Sequence, residues 1–445
     1  MGILARHPDV IGIWNSSRST DGTVSPPPEF INAYLLEDAS SSMMPPVDVG
    51  EKPLIAVIGV GYVGLHLVTT FASKFDVVAF DLSKTRLDAV TKDLALFPSV
   101  RVTSEANEIA KATHILVSVP TTLLPNKSVN ISNIRSALTT IGLYARPGAT
   151  IVIESSVSVG MTRQLLGDLM KTRNLKAGMS PERVDPGRID PPLRSIPKII
   201  SGLDDITEGS LQSIHDLYSQ VFDEVVTVSK PEVAEMTKLY ENCQRMVCIA
   251  YANEMADACG PHGIDPYEVC QAAATKPFGY QPFMPSLGVG GHCIPINPYY
   301  LLANSSFPLL QAATETMWKR PARLADKAMV SIGGTSSTMQ SSGLRRQRVL
   351  VVGVGFKTGQ SVLSCSPGVA VLTHLLGKWH VDVMFADPLV DESAILFAPK
   401  LDDTTQWNKQ SLEGFDLIMV TNRQTGLDFH VLKALEGVQI EWYCM

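Results

Sequence analysis

The sequence predicts an α/β chain: two doubly wound sheets joined by a long central helix and a small helical unit. Three observations predict this. A short apolar run followed by a glycine turn occurs twice, at Leu54–Ile58 before Gly59 and at Arg348–Val352 before Gly353. Between them, Pro231 to about Gly260 keeps helical character without an internal breaker. The chain, at 445 residues, is also too long for one hydrophobic core. The expected divisions are an extension over 1–50, a first sheet unit over 51–228, a central helical unit over 229–330, a linker over 331–344 and a second sheet unit over 345–445.

Composition excludes several classes. With 45% hydrophobic and 18% charged residues the chain reads as soluble and globular, and its net charge of −7 argues against a nucleic-acid partner. Its seven cysteines form no C-x-x-C pair and no metal-ligand spacing, the pattern of a reduced, cytoplasmic protein without a metal. Leu54 to Ala72 is apolar enough to resemble a membrane span, but it carries three glycines and a histidine. No membrane association is expected.

Residues 1–50 are Ser/Thr/Pro-rich in two stretches, Ser16–Pro28 and Ser40–Pro46, and are expected to be disordered. Order is expected from Lys52. After the Leu54–Ile58 strand, Gly59-Val60-Gly61-Tyr62-Val63-Gly64 opens a helix. The first glycine permits the tight turn, the second lets backbone approach a pyrophosphate, and the third lets helix pack on strand. A second strand, Val77–Phe80, ends in Asp81, whose carboxylate suits both ribose hydroxyls and repels a 2′-phosphate. Strand, turn, helix, strand and acid in that order make a Rossmann-like fingerprint for NAD. The alternative is a glycine turn in a flavin or other nucleotide fold. Tyr62, Val63, Arg86, Pro120 and Thr121 complete the expected cofactor contacts.

Strands Thr113–Val119 and Ala149–Ile153 end in Pro120-Thr121 and Glu154-Ser155-Ser156. Ligands of such sheets lie beyond the carboxyl ends of strands, so Thr121 and Glu154 face cofactor or substrate, unless they are a helix cap and a surface carboxylate. Ser180-Pro181-Glu182-Arg183 begins a charged loop at the same edge, and Ile199–Gly202 and Val225–Val228 are the last strands of this unit. The long helix starts with Ser229 as expected cap and Pro231 in its first turn. Glu235, Lys238, Asn242 and Arg245 share one face, which either is solvated or lines a cleft.

Gly288-Val289-Gly290-Gly291-His292-Cys293-Ile294-Pro295 then forces a loop, since three glycines in four positions oppose regular structure. It ends in a thiol, the best nucleophile at neutral pH when a nearby cation favours the thiolate. An ordinary buried cysteine is the other reading of Cys293.

Taken together and in order, Gly59–Leu65, Val119-Pro120-Thr121, Glu154–Val157, Ser180–Arg183, Ala234–Asn242 and Gly290–Pro295 resemble the UDP-glucose/GDP-mannose dehydrogenase family. Ala274–Gly279 followed by Gly-His-Cys-Ile-Pro looks like the branch that oxidises UDP-N-acetylglucosamine or UDP-N-acetylmannosamine. The resemblance implies a homodimer through the central helix and NAD-dependent oxidation of a UDP-sugar C6 alcohol to the uronic acid. In it, Cys293 is the nucleophile, Lys238 and Asn242 stabilise the oxyanion, and Thr121, Glu154 and Glu182 hold the water. Glu182, Arg183, Lys238, Asn242, Arg245, Gly290 and Lys357 are the implied substrate contacts.

The chain departs from the family pattern at two positions. Asn297 stands where the family has an aspartate that pairs with the lysine and moves a proton. Ser364 replaces an arginine on the nucleotide, a loss worth about 1.5–3 kcal/mol of binding. A UDP-glucose 6-dehydrogenase and a catalytically impaired relative are therefore the alternatives. The last strand, near Glu441-Trp442, is expected to be incomplete.

Overall fold

The computed structural model describes residues 45–48, 50–185, 188, 190–337 and 345–445. Nearly all of the extension expected to be disordered, and 338–344 of the expected linker, lie outside the described residues.

The first unit contains strands β1 (Leu54–Ile58), β2 (Asp76–Phe80), β3 (Val100–Thr103) and β4 (His114–Val117). A short hairpin, β5 (Thr122–Leu123) and β6 (Val129–Asn130), precedes β7 (Thr150–Ile153), β8 (Lys176–Met179), β9 (Lys198–Gly202) and β10 (Val225–Thr227). Eight of these make one sheet in the order β10-β9-β8-β7-β4-β1-β2-β3. Every neighbouring pair is parallel except β8 and β9, which pair Gly178 with Gly202 and Met179 with Ser201 in opposite directions.

Alternation along β1 decides how the sheet is covered, because successive side chains leave opposite faces. The helices run α1 (Tyr62–Phe71), α2 (Lys84–Leu94), α3 (Ser132–Tyr144), α4 (Met161–Arg173) and α5 (Ser210–Tyr218). Ala56 and Ile58 pack on one side with Ile134, Leu138 and Ile141 of α3 and Leu166 of α4. Ile55 and Val57 pack on the other with Leu67 and Phe71 of α1, Leu87 of α2 and Leu217 of α5. This is the doubly wound arrangement that the sequence predicts.

The central helix α6 spans Pro231–Cys259, as expected from the sequence. Its cap differs: Lys230, not Ser229, holds the N-cap position, and its side chain makes no cap hydrogen bond. Pro231 at the first helical position has no N–H to satisfy, which reduces the need for a cap. After α7 (Pro266–Ala274) and α8 (Asn297–Leu302), α9 (Pro308–Ser331) lies against α6, and Leu239, Met246, Tyr300, Leu310 and Met317 are buried together. α9 continues through Pro321, whose ring abuts Gly288 of the cysteine loop.

The second sheet has β11 (Gln347–Val352), β12 (Val381–Ala386), β13 (Leu417–Val420) and β14 (Gln439–Trp442), all parallel, in the order β12-β11-β13-β14. β14, the strand expected to be incomplete, pairs with β13 over four residues. α10 (Pro367–Lys378) packs on β11 and β12. Among the described residues no helix is long and apolar enough to cross a membrane.

Candidate active site

At the carboxyl end of β1 the chain turns at Gly59, whose φ of +89° favours glycine. A side chain on Gly64 would lie 1.8 Å from the Gly59 carbonyl oxygen, so this position allows only hydrogen. Over Gly61 the space is open, with nothing within 4 Å of an added Cβ. No side chain caps α1 and no acid sits in its first turn, which leaves its amides directed at an approaching anion. Tyr62 is exposed and stacks edge-on with His66, while Val63 packs partly into the core.

Asp81 follows β2. Its carboxylate accepts from the Val60 and Ser83 amides, both at 2.8 Å, which fixes it beside the turn. Arg86 Nε donates to the Val60 carbonyl at 2.6 Å and braces the same turn from α2. An open glycine cradle, uncapped amides and an oriented carboxylate fit a dinucleotide with free ribose hydroxyls. Gly59, Gly61, Gly64 and Asp81 would hold NAD there.

Next to this turn, β4 runs into Pro120 and Thr121. Ser118 Oγ donates to the Gly59 carbonyl at 2.8 Å, and Thr121 Oγ1 donates to the Ser156 carbonyl at 3.0 Å. The Pro120 carbonyl accepts from Asn133. Glu154, at the end of β7, is 1% exposed, so the surface-carboxylate reading is excluded. Its oxygens meet Tyr218 Oη and, at 2.7 Å, Lys198 Nζ. Lys198 also donates to Glu182 at 2.7 Å, and the other Glu182 oxygen accepts from the Arg183 and Val184 amides at 2.6 and 3.1 Å.

Burial pushes Glu154 up to about 7 against the pull of Lys198. Glu182 is equally buried, but the field and hydrogen bond of Lys198, the Arg183 amide and Lys238 outweigh desolvation and hold it below its usual range. Burial opposes the charge of Lys198, and the two carboxylates outweigh it and raise the lysine.

The polar face of α6 is not solvated: Glu235, Lys238 and Asn242 are buried. Glu235 turns away from the cleft and accepts from the Gly160 and Thr162 amides at 2.5 and 2.8 Å, serving the start of α4. Lys238 faces inward; burial lowers its affinity for a proton, while Cys293, Glu182 and Glu241 favour its charge. Arg183 reaches Glu241 at 2.5 Å and the Pro197 carbonyl at 2.9 Å, bracing the Glu182 loop on α6. Arg245, further along α6, is partly buried.

Cys293 is partly exposed, unlike an ordinary core cysteine. Its carbonyl accepts from the Asn297 amide at 2.9 Å, which starts α8 beneath the thiol. Asn242 Nδ2 donates to Asn297 Oδ1 at 2.5 Å, so two amides meet where the expected aspartate is missing. Gly291 donates to the Ser364 carbonyl at 2.8 Å, and a Cβ on Gly290 would lie 2.8 Å from Phe356. The second sheet unit thus closes directly on the cysteine loop. Lys357 pairs with Asp185 at 3.3 Å, at the mouth of a cavity of about 330 Å³ that Ser286, Gly355, Thr421 and Arg423 also line.

Sequence reasoning missed Lys198, Tyr218 and Tyr300. Tyr300 on α8 is fully buried, and Thr121 and Cys293 are its polar neighbours. Burial pushes it up to about 12. It therefore offers a neutral hydroxyl between the β4 end and the thiol. Position 300 in the run after Cys293 was the available signal.

Residues 53–222 match the NAD binding domain of the UDP-glucose/GDP-mannose dehydrogenase family, and 232–316 match its central domain. The UDP-N-acetyl-D-glucosamine 6-dehydrogenase of Salmonella typhi is 30% identical over 372 residues, covering 77% of this chain and 83% of that protein. Protein CapL of Staphylococcus aureus is 34% identical over 265 residues, covering 56% of this chain and 61% of that protein. In fold, the solved UDP-D-ManNAc dehydrogenase of Pyrococcus horikoshii superposes with a TM-score of 0.75 at 24% identity, covering 88% of this chain and 99% of that one. The chain belongs to the UDP-glucose/GDP-mannose dehydrogenase family, and its cofactor is NAD.

Proposed function

We propose that the protein is an NAD-dependent UDP-N-acetylhexosamine 6-dehydrogenase that converts the sugar C6 alcohol to a carboxylate in two oxidations. The observation that carries this reading is a buried ammonium, Lys238, within electrostatic reach of both Cys293 and Glu182. Bound NAD supplies the hydride acceptor for each oxidation. Between them, the Cys293 thiolate adds to the aldehyde carbon and leaves an oxyanion. Lys238 and the second amide hydrogen of Asn242 face that charge. Loss of the second hydride leaves a thioester on sulfur. Water oriented by Thr121 and Glu182, with Glu154 behind, displaces the thiol and yields the uronic acid. Gly290, Arg183, Arg245 and Lys357 hold the nucleotide sugar, and similarity to a UDP-N-acetyl-D-glucosamine 6-dehydrogenase and a UDP-N-acetyl-D-mannosamine dehydrogenase favours UDP-N-acetylhexosamines.

The exposed face of α6, with Tyr240 at 72% and Tyr251 at 62% accessibility, is the surface on which a second copy would dock. One observation favours a catalytically impaired relative instead: the Asn242–Asn297 pair puts an amide where proton transfer would need a carboxylate. Incubation with a panel of UDP- and GDP-sugars, followed by mass spectrometry, separates the readings. The proposal expects a uronic acid and two NADH per UDP-N-acetylhexosamine. NAD and sugar binding without NADH formation supports the impaired relative.

A further inference from the structure

The eight-stranded sheet contains one reversal, and Lys198 sits on it. With Met179 paired to Ser201 across β8 and β9, the antiparallel register extended by three residues puts Lys198 opposite Glu182. A lysine at the start of a strand is thereby delivered to the edge where the other strands end. The Glu154 and Glu182 side chains leave β7 and the loop after β8 to meet it.

The resulting cluster is closed. Lys198 is 2% exposed, and its ammonium lies 2.7 Å from one oxygen of each carboxylate. The remaining Glu154 oxygen is taken by Tyr218 on α5, and the remaining Glu182 oxygen by two backbone amides. The Phe222 ring lies 5.5 Å from the ammonium and keeps water from that side. Among the described residues, Lys238 from α6 and His66 from α1 also lie in the field of Glu182, and Tyr218 lies in the field of both carboxylates. A single ammonium thus serves two buried carboxylates. Two carboxylates at one site do not both stay ionised without a cation between them.

We propose that Lys198 is a positioning residue of this site: it holds Glu182 ionised and aimed toward Lys238, and leaves Glu154 as the carboxyl behind it that takes up a proton. This rests on the catalytic reading above and extends it, because Lys198 is sealed inside the protein and acts through the two carboxylates. The division of labour follows from the second partners. Glu182 has two amide donors that suit an anion, whereas Glu154 has Tyr218, a hydroxyl that can donate or accept. The bond from Tyr218 therefore survives protonation of Glu154.

The test uses the full chain and the variants Lys198→Met, Lys198→Arg and Glu154→Gln, read by infrared spectroscopy of the protonated carboxyl stretch and by the pH profile of kcat. In the wild type one buried carboxyl band titrates near neutrality and disappears in Glu154→Gln. In Lys198→Met a second protonated band, from Glu182, is present at pH 7. The acid limb of kcat then moves upward by about one pH unit or more, kcat at pH 7 falls about 100-fold, and KM for NAD changes less than about twofold. Lys198→Arg recovers at least about tenfold of that loss. A Lys198→Met protein with no added carboxyl band and the wild-type pH profile overturns the proposal, whatever its thermal stability. If Lys198→Met does not fold, persistence of the neutral-range band in Glu154→Gln overturns it instead. The infrared result needs no turnover, so a wild type that forms no NADH defeats the catalytic reading and still leaves Lys198 judged.

Discussion

The Gly59–Gly64 turn makes a sharp prediction because two of its glycines are required for different reasons. In Gly64→Ala the new methyl carbon falls 1.8 Å from the Gly59 carbonyl oxygen and 2.8 Å from Ser118 Oγ. Carbon–oxygen contacts settle at about 3.3 Å, so α1 must withdraw from β1 by about 1.5 Å. Overpacking against backbone lies at the upper end of its range, about 3 kcal/mol. Replacing a helical glycine returns up to about 1 kcal/mol of propensity, which leaves a net loss near 2 kcal/mol. NAD binding weakens with it, since the amides of α1 move with the helix. Gly61→Ala behaves differently: φ there is −72° and the added carbon meets nothing within 4 Å. Its stability stays within about 0.5 kcal/mol of the wild type, while NAD affinity falls at least about tenfold because the methyl occupies the pyrophosphate's approach. Urea unfolding and calorimetric titration of NAD measure both quantities. A Gly61→Ala protein that binds NAD normally, or a Gly64→Ala protein as stable as the wild type, refutes the cradle.

Further expectations concern charge. Asn297→Asp keeps an acceptor for the Asn242 amide and adds a carboxylate at the start of α8; steady-state NADH formation is expected to rise at least about tenfold, the lower range of a general acid–base contribution. An unchanged or lower rate would mean that this protein does not use a carboxylate there. His114 makes stability fall in acid. Burial lowers it from 6.5 to about 4, and its ring bonds Thr113 at 2.9 Å and Ser213 at 3.1 Å. The fold keeps it neutral while the unfolded chain binds a proton below 6.5, so its contribution is complete above that pH and disappears on the way down to about 4. At pH 5 the loss is about 2 kcal/mol. Urea unfolding at pH 7 and pH 5 should show His114→Gln losing that much less than the wild type between the two.

The sequence reading recovers the apolar strands well, since runs such as Ile55–Ile58 and Val349–Val352 are buried on both faces of parallel sheets and look alike from sequence. It fails where pattern and context diverge. β3 is a partly exposed edge strand, Val-Arg-Val-Thr, without an apolar run. β8 reads Lys-Ala-Gly-Met, and its Gly178 looks like a breaker, yet a Cβ there would lie 1.9 Å from the Ser201 carbonyl oxygen, so β9 can approach only a glycine. α9 carries Pro321 internally, which in sequence marks an end.

The same divide runs through the site. Gly59, Asp81, Cys293 and Lys238 stand in local patterns of the sequence that single them out as candidates. Lys198 does not, because a lysine before an apolar run reads as surface, and only the reversed register of β9 turns it inward. Glu235 shares the face of Lys238 yet serves α4, a distinction that helical spacing does not carry.

The sulfur of Cys293 bears the central claim, and one measurement reaches it most directly: product analysis for Cys293→Ser with UDP-N-acetylglucosamine and NAD. The account predicts that the variant forms little or no uronic acid, stops at or before the aldehyde, and yields at most one NADH per sugar. Full conversion to uronic acid with two NADH per sugar by Cys293→Ser would contradict it.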